Sequence, residues 1–259
     1  MLSVKELSFS YPQKKVLNKI TFSLREGDFC ALIGPNGSGK TTLMRTMLGL
    51  LKVPPASIML EGKALTNYSP KALATKIAYV AQRQDIVFDF SVFDTVMMGR
   101  NPHQHSWEME TEHDRKVVEE TLYQTRTWEL RNCMLSQLSG GEYQRVMIAR
   151  AMAQQTKIIF LDEPLSNLDV VIQYEIMDIL QTLNKKKHTT IFIILHDLSF
   201  VKKYATSTLL IKNGTIHAYG STNQVLTEAN VRQVFDMNEN YFLDERGHVE
   251  RYESSLPKL

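Results

Sequence analysis

Residues 29–49, FCALIGPNGSGKTTLMRTMLG, join three kinds of sequence without a break. A wholly apolar run, Phe29 to Ile33, comes first. Glycines at 34, 37 and 39 follow, then Lys40-Thr41, then apolar residues at helical spacing. A continuous apolar run is what a strand buried on both faces requires, and such strands belong to parallel sheets covered by helices. The G-x-x-x-x-G-K-[ST] spacing between strand and helix predicts a loop whose backbone N–H groups wrap a phosphate, with the helix N-terminus adding partial positive charge. Gly34, Pro35, Asn36, Gly37, Ser38, Gly39, Lys40, Thr41 and Thr42 are the candidate phosphate set. Lys40 is expected to reach the β- and γ-phosphates, and the Thr41 hydroxyl to ligate Mg²⁺.

Two further runs, IIFLD (158–162) and TIFIIL (190–195), are also continuously apolar. Helical patterns separate them, which predicts an α/β fold. Leu7, Phe9 and Tyr11 alternate on one face, and Ile20, Phe22 and Leu24 on another, as half-buried strands do. Asn213-Gly214 between strand-like runs reads as a hairpin turn. The expected fold is a P-loop nucleotide-hydrolase core with a mostly parallel sheet and antiparallel strands at one flank. From Phe90 to Gln155 the pattern turns helical, with Val117, Val118 and Leu122 on one side of a helix. Residues 90–155 are therefore expected to form an inserted helical subdomain, and 1–89 with 156–259 the α/β core. The closing segment NENYFLDERGHVERYESSLPKL reads only as terminal structure.

The IIFLD run ends in Asp162, at the carboxyl edge of a buried strand, where α/β folds place ligand sites. Asp162 is expected to hold Mg²⁺ and Glu163 to polarise an attacking water. Two adjacent carboxylates there are costly unless a cation neutralises them. No base-reading Asn-Lys-x-Asp motif is present. A hydrolase and a small-molecule kinase both remain open on these residues alone.

A second glycine motif, LSGGE at 138–142, has the spacing of a capping box, Ser139 with Glu142. A capping box does not require Gly140 and Gly141, each of which costs up to about 1 kcal/mol against alanine in a helix. A phosphate approaching the backbone closely would explain them. It would belong to a second ligand or to a nucleotide held by another copy of the chain.

Taken in order, these motifs resemble the ATP-binding subunits of ABC transporters over nearly the whole chain. Under that resemblance Tyr11 stacks on adenine, and Gln82 in YVAQ senses Mg²⁺ and a transmembrane partner. Ser139, Gly140, Gly141 and Glu142 are the signature, acting in trans. Asp169 in SNLD communicates between two ATP sites, and His196 in ILHDL contacts the γ-phosphate. The resemblance implies a head-to-tail homodimer with two sandwiched ATP molecules. Glu163 would be the general base, with His196 and Lys40 stabilising charge. Phe88, Phe90 and Phe93 are candidates to line a groove for the membrane partner. VMMGRNPH (96–103) is similar to a pattern in ATPases serving importers of iron–siderophores, haem and vitamin B12, while ATPases for molybdate, manganese or zinc share much of it. The implied partners are a separate permease and, indirectly, an extracytoplasmic substrate-binding protein. Two departures stand out: Leu165 where Thr is usual, and Glu142 where many members have Gln.

Bulk properties narrow the alternatives. Thirty basic against 28 acidic residues, a net charge of +2, give no electrostatic footprint for nucleic acid. A soluble ABC-type ATPase on ribosomes or DNA is thus the weaker reading. No apolar run approaches the ~20 residues of a membrane span. The expectation is a cytoplasmic protein, peripheral on the inner face of the membrane. Cys30 lies within an apolar run and Cys133 stands far from it, which suggests neither a disulfide nor a metal site.

Overall fold

A computed structural model describes residues 1–82, 88–103, 110–238 and 241–251. The segment DIVFDF therefore begins outside the described residues, as do 239–240 and 252–259 of the closing segment. The chain starts with an antiparallel pair, β1 (Leu2–Tyr11) and β2 (Lys14–Leu24). Ile20, Phe22 and Leu24 are buried in alternation, as their spacing predicts. In β1 the alternation breaks at Glu6, whose φ is +46°, and the register with β2 shifts there. Leu7 is consequently buried but Tyr11 reaches solvent.

The strand β3 (Phe29–Ile33) leads through the phosphate loop into α1 (Lys40–Met47). Next come β4 (Ile58–Leu60), β5 (Lys63–Ala64), α2 (Pro70–Ala74) and β6 (Ile77–Val80). Between Val80 and Ile158 the described residues form helices and 3-10 turns and no strand, apart from a single bridge between Ser91 and Met134. The helices are α3 (Val92–Met97), α4 (Glu112–Gln124) and α5 (Gly140–Ala153). Val92, Val96, Val118, Leu122, Val146 and Ala149 give them a small core of their own. The chain then runs through β7 (Ile158–Leu161), α6 (Val170–Lys187), β8 (Thr190–Ile194), α7 (Leu198–Tyr204), β9 (Ser207–Lys212) and β10 (Thr215–Ser221). It ends with α8 (Thr222–Val225), α9 (Glu228–Phe235) and a hairpin of β11 (Tyr241–Leu243) with β12 (Val249–Arg251).

The main sheet has the order β10-β9-β3-β8-β7-β6. Its neighbours pair in parallel except β10 with β9, joined by the Asn213-Gly214 turn with both residues at positive φ. The three continuously apolar runs are its centre, and each supplies both faces by alternation. Phe29, Ala31, Ile33, Ile159, Leu161, Ile191 and Ile193 face one core, with α6 and α7. Cys30, Leu32, Ile158, Phe160, Phe192 and Ile194 face the other, with α1 and a second sheet of order β2-β1-β4-β5. Burying such side chains is worth about 1.5–3 kcal/mol each. The carboxyl ends of β3, β7 and β8 thus open at one edge, where the loops 34–39, 162–169 and 195–197 emerge.

Candidate nucleotide site

The loop from Gly34 to Gly39 is held closed by its own lysine. Lys40 is 5% exposed, and its Nζ donates to Gly34 O at 2.8 Å and Pro35 O at 3.1 Å. Burial pulls the Lys40 ammonium below the usual lysine range, with the charges of Glu163 and Asp162 opposing the shift. Gly39 caps α1 at φ +105°, and a Cβ there would lie 2.9 Å from Leu17, so only glycine fits both the turn and the packing. Ser38 Oγ is buried with no partner in the chain. Asn36 and Gly37 lie at the exposed tip of the loop, and Thr42 follows Thr41 in the first turn of α1.

Asp162 follows β7 and is 2% exposed. Its Oδ1 accepts from Thr41 Oγ1 and its Oδ2 from the Tyr79 hydroxyl, each at 3.5 Å. Burial, and then the charge of Glu163, push the Asp162 carboxyl above its ordinary range. A cation at this point would relieve both effects. The donor set, a threonine hydroxyl and a carboxylate, is all hard oxygen and suits Mg²⁺. No group of three or more His, Cys, Asp or Glu side chains arranged to hold a metal exists among the described residues. Any ion here would therefore complete its shell with phosphate and water oxygens. Thr41, Arg45, Tyr79, Gln82 and Asp162 line a cavity of about 520 Å³ beside the loop.

Glu163 has φ +49°, a left-handed conformation that a non-glycine residue keeps only when its surroundings fix it. Both carboxylate oxygens are engaged. Oε1 lies 2.7 Å from His196 Nε2. Oε2 accepts from Gln82 Nε2 at 2.9 Å and, more weakly, from Ser166 Oγ at 3.4 Å. Gln82 follows β6 and His196 follows β8, so the parallel sheet brings all three together. Tyr11, 39% exposed at the end of β1, meets Phe9 edge-on at 5.0 Å.

The signature stretch stands apart. Ser139 Oγ accepts from Glu142 N at 3.4 Å, and Glu142 Oε2 accepts from Ser139 N at 2.8 Å. The capping box read from the spacing is present at the start of α5. Ser139 hydrogen bonds hold the Glu142 carboxyl below its usual range. The two glycines differ. A Cβ at Gly141 would lie 2.9 Å from Ile172 Cγ2, so packing against α6 already accounts for that glycine. A Cβ at Gly140 would meet only Leu168 Cδ2, at an ordinary 3.7 Å. Close approach by a ligand remains the account of Gly140 alone, which narrows the expectation drawn from the pair. Among the described residues no hydrogen bond or ion pair joins 139–142 to the phosphate loop, Asp162 or Glu163. Asp169 is exposed at the start of α6 and makes no side-chain cap. Of the three phenylalanines, Phe88 and Phe90 are exposed as a tilted pair, whereas Phe93 packs into the small helical core.

Sequence reading passed over Tyr79, Arg45 and Gln173. Tyr79 is one aromatic in an alternating strand and Arg45 one base in an amphipathic helix, so neither carries a local mark. The VMMGRNPH stretch, read from sequence as a mark of transporter type, also forms a structural clamp. Arg100 Nε meets Asp114 Oδ1 at 2.8 Å, with Arg100 Nη1 donating to Ala153 O at 2.7 Å and to Gln155 Oε1 at 3.0 Å. His103 Nε2 lies 2.7 Å from Gln154 O. The motif therefore fastens the C-terminal end of α5.

The family model for ABC transporters matches residues 17–166. An ABC transporter ATP-binding protein of Bacillus subtilis, YvrA, is 35% identical over 89% of this chain, which spans about half (52%) of that relative's length. The iron(3+)-hydroxamate import ATP-binding protein FhuC of the same organism is 33% identical over 95% of this chain and 91% of its own. A protein described as a metal-chelate type ABC transporter, solved in an inward-facing conformation, superposes with a TM-score of 0.82 at 30% identity, covering 98% and 99% of the two chains. A dimeric ATP-binding cassette bound to ADP and Pi superposes with a TM-score of 0.73 at 25% identity, covering 86% and 99%. The chain belongs to the ABC transporter family, as one of its ATP-binding proteins.

Proposed function

We propose that this ABC ATPase is the energy-converting subunit of an importer for a metal-chelate-type substrate, an iron–siderophore, haem or cobalamin. It works as a head-to-tail homodimer against a separate permease. The observation that carries the reading is the division of the site. One edge of the sheet gathers Lys40, Thr41, Asp162, Glu163, Gln82 and His196, while the capped start of α5 with its bare Gly140 shares no hydrogen bond or ion pair with them among the described residues. A second copy, turned head to tail, supplies to each site what the first lacks. That a structurally similar cassette bound to ADP and Pi is dimeric supports the pairing of two copies. The iron-hydroxamate and metal-chelate relatives support the substrate class.

In the closed pair, Lys40 exchanges the carbonyls of Gly34 and Pro35 for phosphate oxygens. Tyr11 offers its exposed ring to the adenine. Thr41 and Asp162 would hold Mg²⁺, which when bound would supply positive charge to the phosphates. Glu163 takes a proton from water as its oxygen attacks the γ-phosphorus, and the bond from that phosphorus to ADP breaks. Lys40 and His196 hold the charge on the transferred phosphoryl group. Gly140 and the α5 N-terminus approach that group from the partner copy. Asp169 lies where one site reports to the other. Phe88 and Phe90 present an apolar face suited to the permease. No helix among the described residues is long and apolar enough to cross a membrane. We place the subunit at the inner face of the cell membrane, with an extracytoplasmic substrate-binding protein as an indirect partner.

The test is Glu163→Gln. It should keep ATP binding, lose turnover by about 10²–10⁴-fold and accumulate an ATP-bound dimer by size-exclusion chromatography. Normal hydrolysis by this variant sinks the assignment of the base. A variant that stays monomeric with saturating ATP sinks the shared site.

A further inference from the structure

The first turns of α6 touch both halves of the divided site within one chain. Gln173 Nε2 donates to Leu165 O at 3.2 Å and to Leu168 O at 3.0 Å. Those carbonyls flank the turn of the loop that runs from Glu163 to Asp169. The loop holds two non-glycine residues in left-handed conformation, Glu163 at φ +49° and Asn167 at φ +60°. Such a backbone persists only where neighbours over-determine it. The internal ties are weak: Ser166 N to Glu163 O at 3.3 Å and Ser166 Oγ to Glu163 Oε2 at 3.4 Å. From outside the loop, Gln82 and His196 hold its Glu163 end, and the Gln173 amide holds the Leu165–Leu168 turn.

The residue before it faces the other way. Ile172 fills the space that a side chain on Gly141 would need, and Leu168 lies against Gly140. Farther along α6, Glu175 accepts from Arg145 of α5 at 2.8 Å and from Arg126 at 3.0 Å. Apolar packing and ion pairs therefore fix α5 to α6, while Gln173 fixes the Glu163 loop to the same helix.

We infer that Gln173 is a positioning residue that joins the Glu163–Asp169 loop to the signature helix of its own chain, making hydrolysis at the two ATP sites interdependent. The inference rests on the head-to-tail reading. In that dimer Glu163 acts on its own chain's nucleotide, and Gly140 on the partner's. A displacement of the loop at one site passes through the Gln173 amide to α6 and Ile172, and in parallel through the loop's own Leu168, to the signature at the other site. Without the amide each site would work with a loosened base and a weakened report from its neighbour, carried by Leu168 alone.

Gln173→Met has the same length and no donor, so it isolates the two hydrogen bonds. Steady-state phosphate release is measured against ATP concentration for the wild type and the variant, with nucleotide affinity read from a fluorescent ATP analogue. The variant should keep its melting temperature within a few degrees and its analogue affinity within about twofold. Turnover should fall about 10-fold, and the Hill coefficient should drop from near 2, the ceiling for two sites, toward 1. A cooperative wild type with an equally cooperative variant overturns the role of Gln173 alone. Loss of nucleotide affinity together with a large fall in melting temperature also overturns it, since the residue would then only hold the fold. A non-cooperative wild type whose Glu163→Gln form does not dimerise overturns the head-to-tail reading, and this inference with it.

Discussion

Replacing Gly140 by alanine should make the protein more stable and less active. Gly140 is the first residue of α5, and alanine is favoured over glycine in helices by up to about 1 kcal/mol. The added methyl meets only Leu168 Cδ2 at 3.7 Å, so packing exacts no penalty against that gain. For a chain of this size about 0.5–1 kcal/mol corresponds to a rise in melting temperature of about 1–4 °C. On the head-to-tail reading, the same methyl stands where the partner's phosphate approaches the backbone. Losing one charge-assisted hydrogen bond there, at about 1.5–3 kcal/mol, predicts a 10- to 100-fold fall in hydrolysis. Gly141→Ala behaves differently. Its methyl would lie 2.9 Å from Ile172 Cγ2, so overpacking of about 1–3 kcal/mol outweighs the helix gain, and Ile172→Ala should relieve it. Thermal unfolding and phosphate release on the three variants decide the matter. Gly140→Ala with hydrolysis within twofold of wild type would refute a phosphate at this backbone.

The Arg100–Asp114 pair is 3% and 6% exposed, so Arg100→Met should cost about 3–5 kcal/mol in urea unfolding, and adding Asp114→Leu should recover most of it. Burial raises the Asp114 carboxyl, but hydrogen bonds from Arg100 and Thr111 outweigh it and hold the group at about 2. A depressed folded value means that its stabilisation is present above the unfolded pKa of about 4 and is lost as pH falls from there toward 2. Asp114→Asn should flatten the loss of stability across that window, and an unchanged acid limb would refute the assignment. His196→Ala removes one partner of Glu163 and the proposed phosphate contact. It should lower turnover by about 10²-fold or more while leaving the affinity for a fluorescent ATP analogue within about threefold.

Much of this site is legible in the sequence because its parts are local. A buried strand, a glycine loop and a helix follow one another in 29–49, and Asp162 and Glu163 end an apolar run. The alternation of Phe29, Ala31 and Ile33 with Cys30 and Leu32 between two cores cannot be read locally. A continuous run looks the same whichever face each residue takes. Gln173 and Gly141 escape for another reason. Their roles are set by a loop carbonyl and by an isoleucine some thirty residues away, distances the fold closes but the sequence does not mark. The spacing of Gln173 four residues beyond Asp169, one helical turn back toward the loop, was the available hint. The terminal hairpin was also missed. Its signal is the short aromatic and apolar run Tyr241–Leu243 followed by Asp244 and Gly247, whose backbone at φ +90° fits against Leu198 O.

The engagement of both Glu163 oxygens has a consequence for the resting subunit. An ionised carboxylate offers about four lone-pair sites, and His196, Gln82 and Ser166 take three of them. A water reaching this base must compete for what remains, so idle turnover is slowed rather than forbidden until Gln82 or His196 is drawn away.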